Sequence, residues 1–272
     1  MSNRIDLLRL DYTFSVIVPM LLAIFINRLN VFFHIDIIIG FLFLAITGNT
    51  WNDVIDMRDP EEIETLERVK GYHPREIFTI GLSSFILGIT LLMRTCIANP
   101  VNGFLLIIII AMVLIYCKWL KPVPIINQIL LGASHIFLPY LIIKIDAGLS
   151  LLNLSEWILM IMFLSFAFTG QVTHEIIDHD ALAKHLSLKG CQIVVCISSI
   201  ITLVMSILVL ILYPFAYKFY FIPFLLFPIG TILTFRRPTV STKGVKDVGI
   251  LLGNFLFIYF LTLIALQFYG II

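Results

Sequence analysis

Long apolar runs alternate with short polar interruptions over the whole 272-residue chain, at roughly 12–29, 31–50, 77–95, 101–117, 125–143, 155–171, 191–213, 217–235 and 247–269. Most have about the 17–25 residues that cross a bilayer as a helix, and the shorter ones extend into flanking polar motifs. The pattern predicts an all-α, polytopic transmembrane bundle of about nine helices. The connections alternate as well. Those at 52–76, 118–124, 172–190 and 236–246 are long and charged, whereas the opposite ones are short, as at Asn99-Pro100 and Tyr213-Pro214. Segments one to four and five to eight repeat one order: hairpin, acidic stretch, long loop, hairpin, basic loop. The expectation is two pseudo-repeated four-helix halves plus a ninth helix. No composition shift marks a second domain, so residues 1–272 read as a single transmembrane domain.

Composition agrees: 60% of residues are hydrophobic and 23 are phenylalanine, against about 45–50% apolar in soluble domains. The net charge of +1 says little, but the placement of the cations says more. Of the 18 Lys and Arg residues, fourteen fall in the N-terminal stretch and the four long connections. Arg28, Arg94, Lys144 and Lys218 fall on the other side. This asymmetry places the N-terminus and the long loops in the cytoplasm. Arg4, Asp6, Arg9 and Asp11 precede the first apolar run, which has no evident small-residue cleavage site and reads as a retained helix. Cys96, Cys117, Cys191 and Cys196 form no CxxC or Cys/His pattern and read as small packing residues.

Two polar stretches share one spacing. Asn49, Asn52, Asp53 and Asp56 follow the second apolar run, and Gln171, His174, Glu175 and Asp178 follow the sixth. Positions i, i+3, i+4 and i+7 lie on one helical face, so each stretch presents a polar stripe. A carboxylate at the hydrocarbon edge is costly, up to about 2.5–3.5 kcal/mol near the centre. Acids gathered there need something to offset their repulsion. A bound Mg²⁺ does this, taking carboxylate oxygens and sharing its remaining ligands with phosphate. The stripes therefore read as a metal and diphosphate site, with Pro60 expected to end the first stripe's helix.

Asn52-Asp53-x-x-Asp56 resembles the first signature of the UbiA superfamily of intramembrane prenyltransferases, and Glu175-x-x-Asp178 resembles a variant of the second. Leu8-Arg9-Leu10, Arg68, Tyr116-x-x-x-Leu120-Lys121, Asn127 and Gly132 match more loosely, extending the likeness from residue 8 to about residue 190. The chain departs from the pattern in three places. Pro60 stands where the first signature's last acid falls, leaving Asp59, Glu61 or Glu62 as substitutes. In the second signature Glu175 stands for the leading Asp and Leu182 at the last acid, with Asp180 nearby, and Arg68-Val69-Lys70 replaces Arg-Pro-Leu. The chain is similar to a divergent member.

The resemblance implies a helical bundle around a cavity open to membrane lipid. Mg²⁺ and an isoprenyl diphosphate donor would bind there, and the prenyl group would pass to a small-molecule acceptor that is aromatic, a quinone precursor or lipid-like. It implies catalytic roles for Asp53, Asp56, Glu175 and Asp178, with Asn52 joining them as metal ligand. Arg68 and Lys121 are candidates for phosphate oxygens, with Lys184 and Lys70 behind them. His174 is a candidate ligand or proton acceptor; Asn49 and Gln171 would orient carboxylates or touch the second substrate. Trp51, Tyr116, Phe137 and Tyr140 are candidate faces for an allylic cation. Nucleic acid is not an expected partner. A terpene cyclase of the same superfamily, and a secondary transporter with a parallel repeat, stand as alternatives.

Overall fold

The computed structural model describes residues 4–60, 62–150, 152–178, 181–213, 219–235 and 243–272, and every regular element among them is helical. A membrane requires this, because backbone N–H and C=O groups in hydrocarbon must be satisfied within the element that carries them. In chain order the helices are α1 (Phe14–Ile26), α2 (Ile35–Asp56), α3 (Ile63–Arg68), α4 (Pro74–Ala98), α5 (Pro100–Ile115), α6 (Ile126–Gly132), α7 (Leu138–Asp146), α8 (Leu154–Asp178), α9 (Leu182–His185), α10 (Leu188–Leu212), α11 (Pro223–Phe235) and α12 (Lys243–Phe268). Single π-helical turns at Tyr116–Leu120 and Ala133–Phe137 extend α5 and join α6 to α7.

Seven helical stretches are long and apolar enough to cross a membrane: Val31–Asp56, Pro74–Ala98, Pro100–Leu120, Ile126–Asp146, Leu154–Ile176, Leu188–Leu212 and Ile250–Phe268. An eighth arises if Ile5–Tyr12 and Phe14–Ile26, bent by 43° to each other, count as one span. The remaining expected segment, 217–235, contains α11, whose 13 residues are short for a full crossing. The outward faces are apolar, with Ile97, Phe104 and Ile107 all exposed. In water such a surface would be a liability; in lipid it is the solvent-matched face. The chain is an integral, multi-pass membrane protein.

The helices fall into two compact units that differ from the expected halves. The first holds residues 1–120, 133–150 and 250–272, so it gains α7 and the last helix. The second holds residues 121–132 and 151–249. The fifth span is thus shared, with its π-helical turn beginning at the division.

In the first unit, α2 lies against α4 at very close range. A Cβ on Gly40 would stand 2.8 Å from Leu92, and one on Gly88 would stand 2.9 Å from the Gly40 carbonyl oxygen. Small residues at such contacts let membrane helices approach backbone to backbone. Thr47 adds a hydrogen bond across the seam, its hydroxyl donating to the Gly81 carbonyl at 3.2 Å. Far along α2 from Asp53, Arg94 of α4 donates to Asp36, to the Phe33 carbonyl and to Asp146. Buried His34 bonds the same Asp146 at 2.8 Å.

In the second unit, α8 and α10 are joined by hydroxyls. Ser165 donates to the Ser198 carbonyl, Thr169 to the Ser198 hydroxyl at 2.7 Å, and Thr202 to Ser165 at 2.9 Å. The start of α8 is fixed by a reciprocal cap, in which Asn153 accepts from the Glu156 amide and Glu156 accepts from the Asn153 amide.

Candidate functional site

The first stripe occupies the last two turns of α2. The Gly81 contact sets its rotation: a Cβ there would meet Thr50 and Trp51 at 2.5 Å, so these residues lie on α4. Trp51 stacks on Phe78 at 5.5 Å between ring centroids with 12° between planes, and leans on Phe85. This corrects its reading as a cation-facing aromatic, since its ring is committed to α4. The helix ends at Asp56, four residues before Pro60, which prevents Asp59 from taking a helical conformation easily. Asp59 and Glu62 therefore lie beyond the helix and do not continue the stripe. Glu61 lies outside the described residues.

Asp53 is fully buried. Arg68 donates to it from two nitrogens, Nε to Oδ2 at 3.2 Å and Nη2 to Oδ1 at 2.7 Å. Arg9 stands 3.5 Å from Oδ1. The planar fork of a guanidinium matches a carboxylate in this way, whereas a lysine offers a point charge. Local packing delivers Arg68 to the site. Leu7, Val69 and Ile77 form a small buried cluster under the loop, backed by Val54, Met57 and Tyr72, and Thr65 accepts a further bond from Arg68 at 3.1 Å. Arg9 is held with φ 47° and its guanidinium over the Tyr12 ring at 4.6 Å. Asn49 donates to the Arg9 carbonyl at 3.4 Å, so it secures the N-terminal segment.

Asn52 donates to Asp56 at 2.6 Å. The Asn52 amide oxygen is buried without a hydrogen-bond partner. A buried orphan oxygen beside a carboxylate is the donor chemistry a hard cation takes. Among the described residues no three His, Cys, Asp or Glu side chains gather into a complete metal cluster. A divalent ion would therefore complete its shell from outside, as Mg²⁺ does with phosphate oxygens and water. The residues present fit that mode of binding.

The second stripe ends α8. Glu175 is buried and accepts three hydrogen bonds, from Asn127 Nδ2 at 2.7 Å and Gln128 Nε2 at 2.8 Å on Oε1, and from the Leu182 amide at 3.1 Å on Oε2. Asn127 also donates to the Lys121 carbonyl at 3.1 Å and accepts from the Gln128 amide at 2.7 Å. The carboxylate thus gathers α6 and α9 around α8. Gln171 and His174 are half-buried on the same helix, and Lys184 is exposed on α9. The Asp178 side chain and Asp180 lie outside the described residues. Expecting the next acid at position 182 assumed a continuous helix, but Ala181 has φ 35° and Leu182 begins α9, so position 182 does not continue α8. Leu182 enters an apolar cluster with Val172, Ile176, Cys191 and Val195.

Arg9, Asn127 and Gln128 were given no site role from sequence, although Arg9 and Asn127 lie in the stretches that match the family loosely. Arg9 carried a signal, an arginine at the edge of the first apolar run. Gln128 carried only its polarity inside an apolar segment.

The profile of the UbiA prenyltransferase family matches residues 16–247. The chain belongs to the UbiA prenyltransferase family. Two solved structures share its fold. A UbiA homolog from Archaeoglobus fulgidus bound to GPP and Mg²⁺ aligns with a TM-score of 0.73 at 12% identity, covering 96% of this chain and 99% of that one. A second structure of a UbiA homolog from that organism, bound to DMAPP and Mg²⁺, aligns with a TM-score of 0.72 at 12% identity, covering 96% and 98%. No curated protein sequence matches the chain. Both stripes fall inside the span matched by the UbiA profile.

Proposed function

We propose that this protein transfers an isoprenyl group from an isoprenyl diphosphate to a small-molecule acceptor within the membrane, with Mg²⁺ as cofactor. The observation that carries the reading is the buried Asp53 carboxylate under the Arg68 fork, at the same end of α2 as the hydrogen-bonded Asn52 and Asp56 side chains. The A. fulgidus homologs with this fold hold Mg²⁺ with GPP or DMAPP, and the family is one of prenyltransferases.

On this reading Asn52, Asp53, Asp56, Glu175 and Asp178 supply the oxygens that hold the metal directly or through water. A hard cation bound there would neutralise the charge that collects on diphosphate as the allylic C–O bond breaks. Arg68 and Arg9 add fixed positive charge beside Asp53 and present donors to phosphate oxygens. Lys121 and Lys184 are further proposed partners for phosphate oxygens. Asn49 keeps the Arg9 segment in place, while Gln171 and His174 flank the acids of α8. The cation asymmetry of the loops supports a cytoplasmic N-terminus and a cytoplasmic site.

The test is diphosphate release by purified protein in nanodiscs, given geranyl, farnesyl or geranylgeranyl diphosphate, with Mg²⁺ or with EDTA. Metal-dependent release that requires an added acceptor supports transfer. Release without acceptor, giving a hydrocarbon or a terpene alcohol, replaces transfer with cyclisation. No release with any donor overturns both.

A further inference from the structure

Glu175 and Gln128 together define a further residue for the reaction proposed above. An ionised carboxylate offers about four acceptor positions, two on each oxygen. Oε1 of Glu175 is filled by the Asn127 and Gln128 amides, and Oε2 carries the Leu182 amide. We infer that Gln128 is a positioning residue, whose amide holds Oε1 and so fixes the orientation in which the Glu175 carboxylate meets a cation or its bound water.

Gln128 and Asn127 differ in what else they do. Asn127 also binds the Lys121 carbonyl and the Gln128 amide, so it organises the chain around it. The Gln128 side chain gives Nε2 to Glu175, and its own Oε1 is buried with no hydrogen-bond partner. A buried amide oxygen left unpaired costs stability, so the Gln128 side chain is poorly explained as a fold-stabilising group. Its one polar contact is the one that orients Glu175. Removing that amide should then leave the fold intact and loosen the carboxylate. A purely structural amide would show the reverse.

This inference rests on the proposed prenyl transfer, and the experiment separates the two. Wild type, Gln128→Met and Asn127→Ala are purified in nanodiscs. Three readouts are taken on each: the unfolding temperature, Mn²⁺ affinity by electron paramagnetic resonance with inorganic pyrophosphate present, and kcat and KM for geranyl diphosphate with Mg²⁺. Gln128→Met is expected to keep or raise the unfolding temperature while weakening Mn²⁺ binding about tenfold. Its kcat should fall by a similar factor, with KM for the donor changed less than twofold. Asn127→Ala is expected to lower the unfolding temperature. Equal Mn²⁺ affinity and kcat in Gln128→Met and wild type would overturn the positioning role and leave prenyl transfer standing. A loss in Gln128→Met that comes with a fall in unfolding temperature as large as that of Asn127→Ala would also overturn it. A wild type that neither binds Mn²⁺ nor releases diphosphate removes the proposed function, and the inference with it.

Discussion

Arg68 clasps Asp53 through two nitrogens on two different oxygens, at 3.2 and 2.7 Å, and the carboxylate it holds has no exposed surface. Removing one partner of a buried pair leaves the other charge uncompensated, at a cost of about 3–5 kcal/mol. Arg9, 3.5 Å away, offsets part of that loss. Arg68→Ala should therefore unfold at a clearly lower temperature than wild type in detergent. Arg68→Lys, which keeps the charge but not the fork, should fall between the two. Equal unfolding temperatures for all three would rule out the fork as a structural element.

The carboxylates themselves should matter to turnover more than to folding when shape is preserved. Asp53→Asn and Asp56→Asn keep volume and hydrogen-bonding capacity while removing charge. Each is expected to reduce diphosphate release by at least about 100-fold, the scale of losing one electrostatic group in a preorganised site. Insertion and yield should stay near wild type for Asp56→Asn, whereas Asp53→Asn takes the counter-charge from Arg68 and Arg9 and should also lower the unfolding temperature. Asp178→Asn is expected to behave like Asp56→Asn. Retained activity in any of the three would remove that acid from the site.

The closeness of α2 and α4 makes a further expectation. In Gly81→Ala the new methyl would meet Thr50 and Trp51 at 2.5 Å. Overpacking of this kind costs about 1–3 kcal/mol. Because Trp51, Asn52 and Asp53 are consecutive, the displaced ring should also turn the acids. Gly81→Ala should lower the unfolding temperature and raise the donor KM together. A change in stability alone would show that the Trp51 contact does not set the site's geometry.

Leu182 invites the opposite experiment, restoring the acid that the family pattern expects. Leu182 is buried among Val172, Ile176, Cys191 and Val195, so Leu182→Asp would place a carboxylate among apolar side chains. Such burial is among the few changes that cost more than about 4 kcal/mol. Expression or unfolding temperature should collapse with no gain in turnover. A stable, more active variant would mean that position 182 is turned toward the site.

Much of this was legible in the sequence because membranes impose strong rules. Apolar runs located the helices, and i, i+3, i+4, i+7 spacing placed Asn52, Asp53 and Asp56 together at the end of α2. What escaped was whatever depended on how the chain leaves a helix. Continuing the α2 stripe to Asp59 and the α8 stripe to position 182 both assumed unbroken helices, and both helices end earlier. Trp51 shows a second limit. One residue's rotation on a helix sends a ring to α4 instead of into a cavity, and that rotation was set by Gly81, thirty residues away. The three amides on Glu175 come from Asn127, Gln128 and Leu182, and no local spacing announces such a convergence.

The two ionic clusters at opposite ends of α2 have a mechanical consequence. Near one end Asp36 is tied to Arg94 of α4, and near the other Asp53 is tied to Arg68 just before it. Close glycine contacts fill the length between. A rod clamped at its tips and seated along its middle cannot swing by itself. Helices α2 and α4 should therefore move as one body, a stiff pair that presents the Asp53 end of the bundle at a fixed position relative to the Asp36 end.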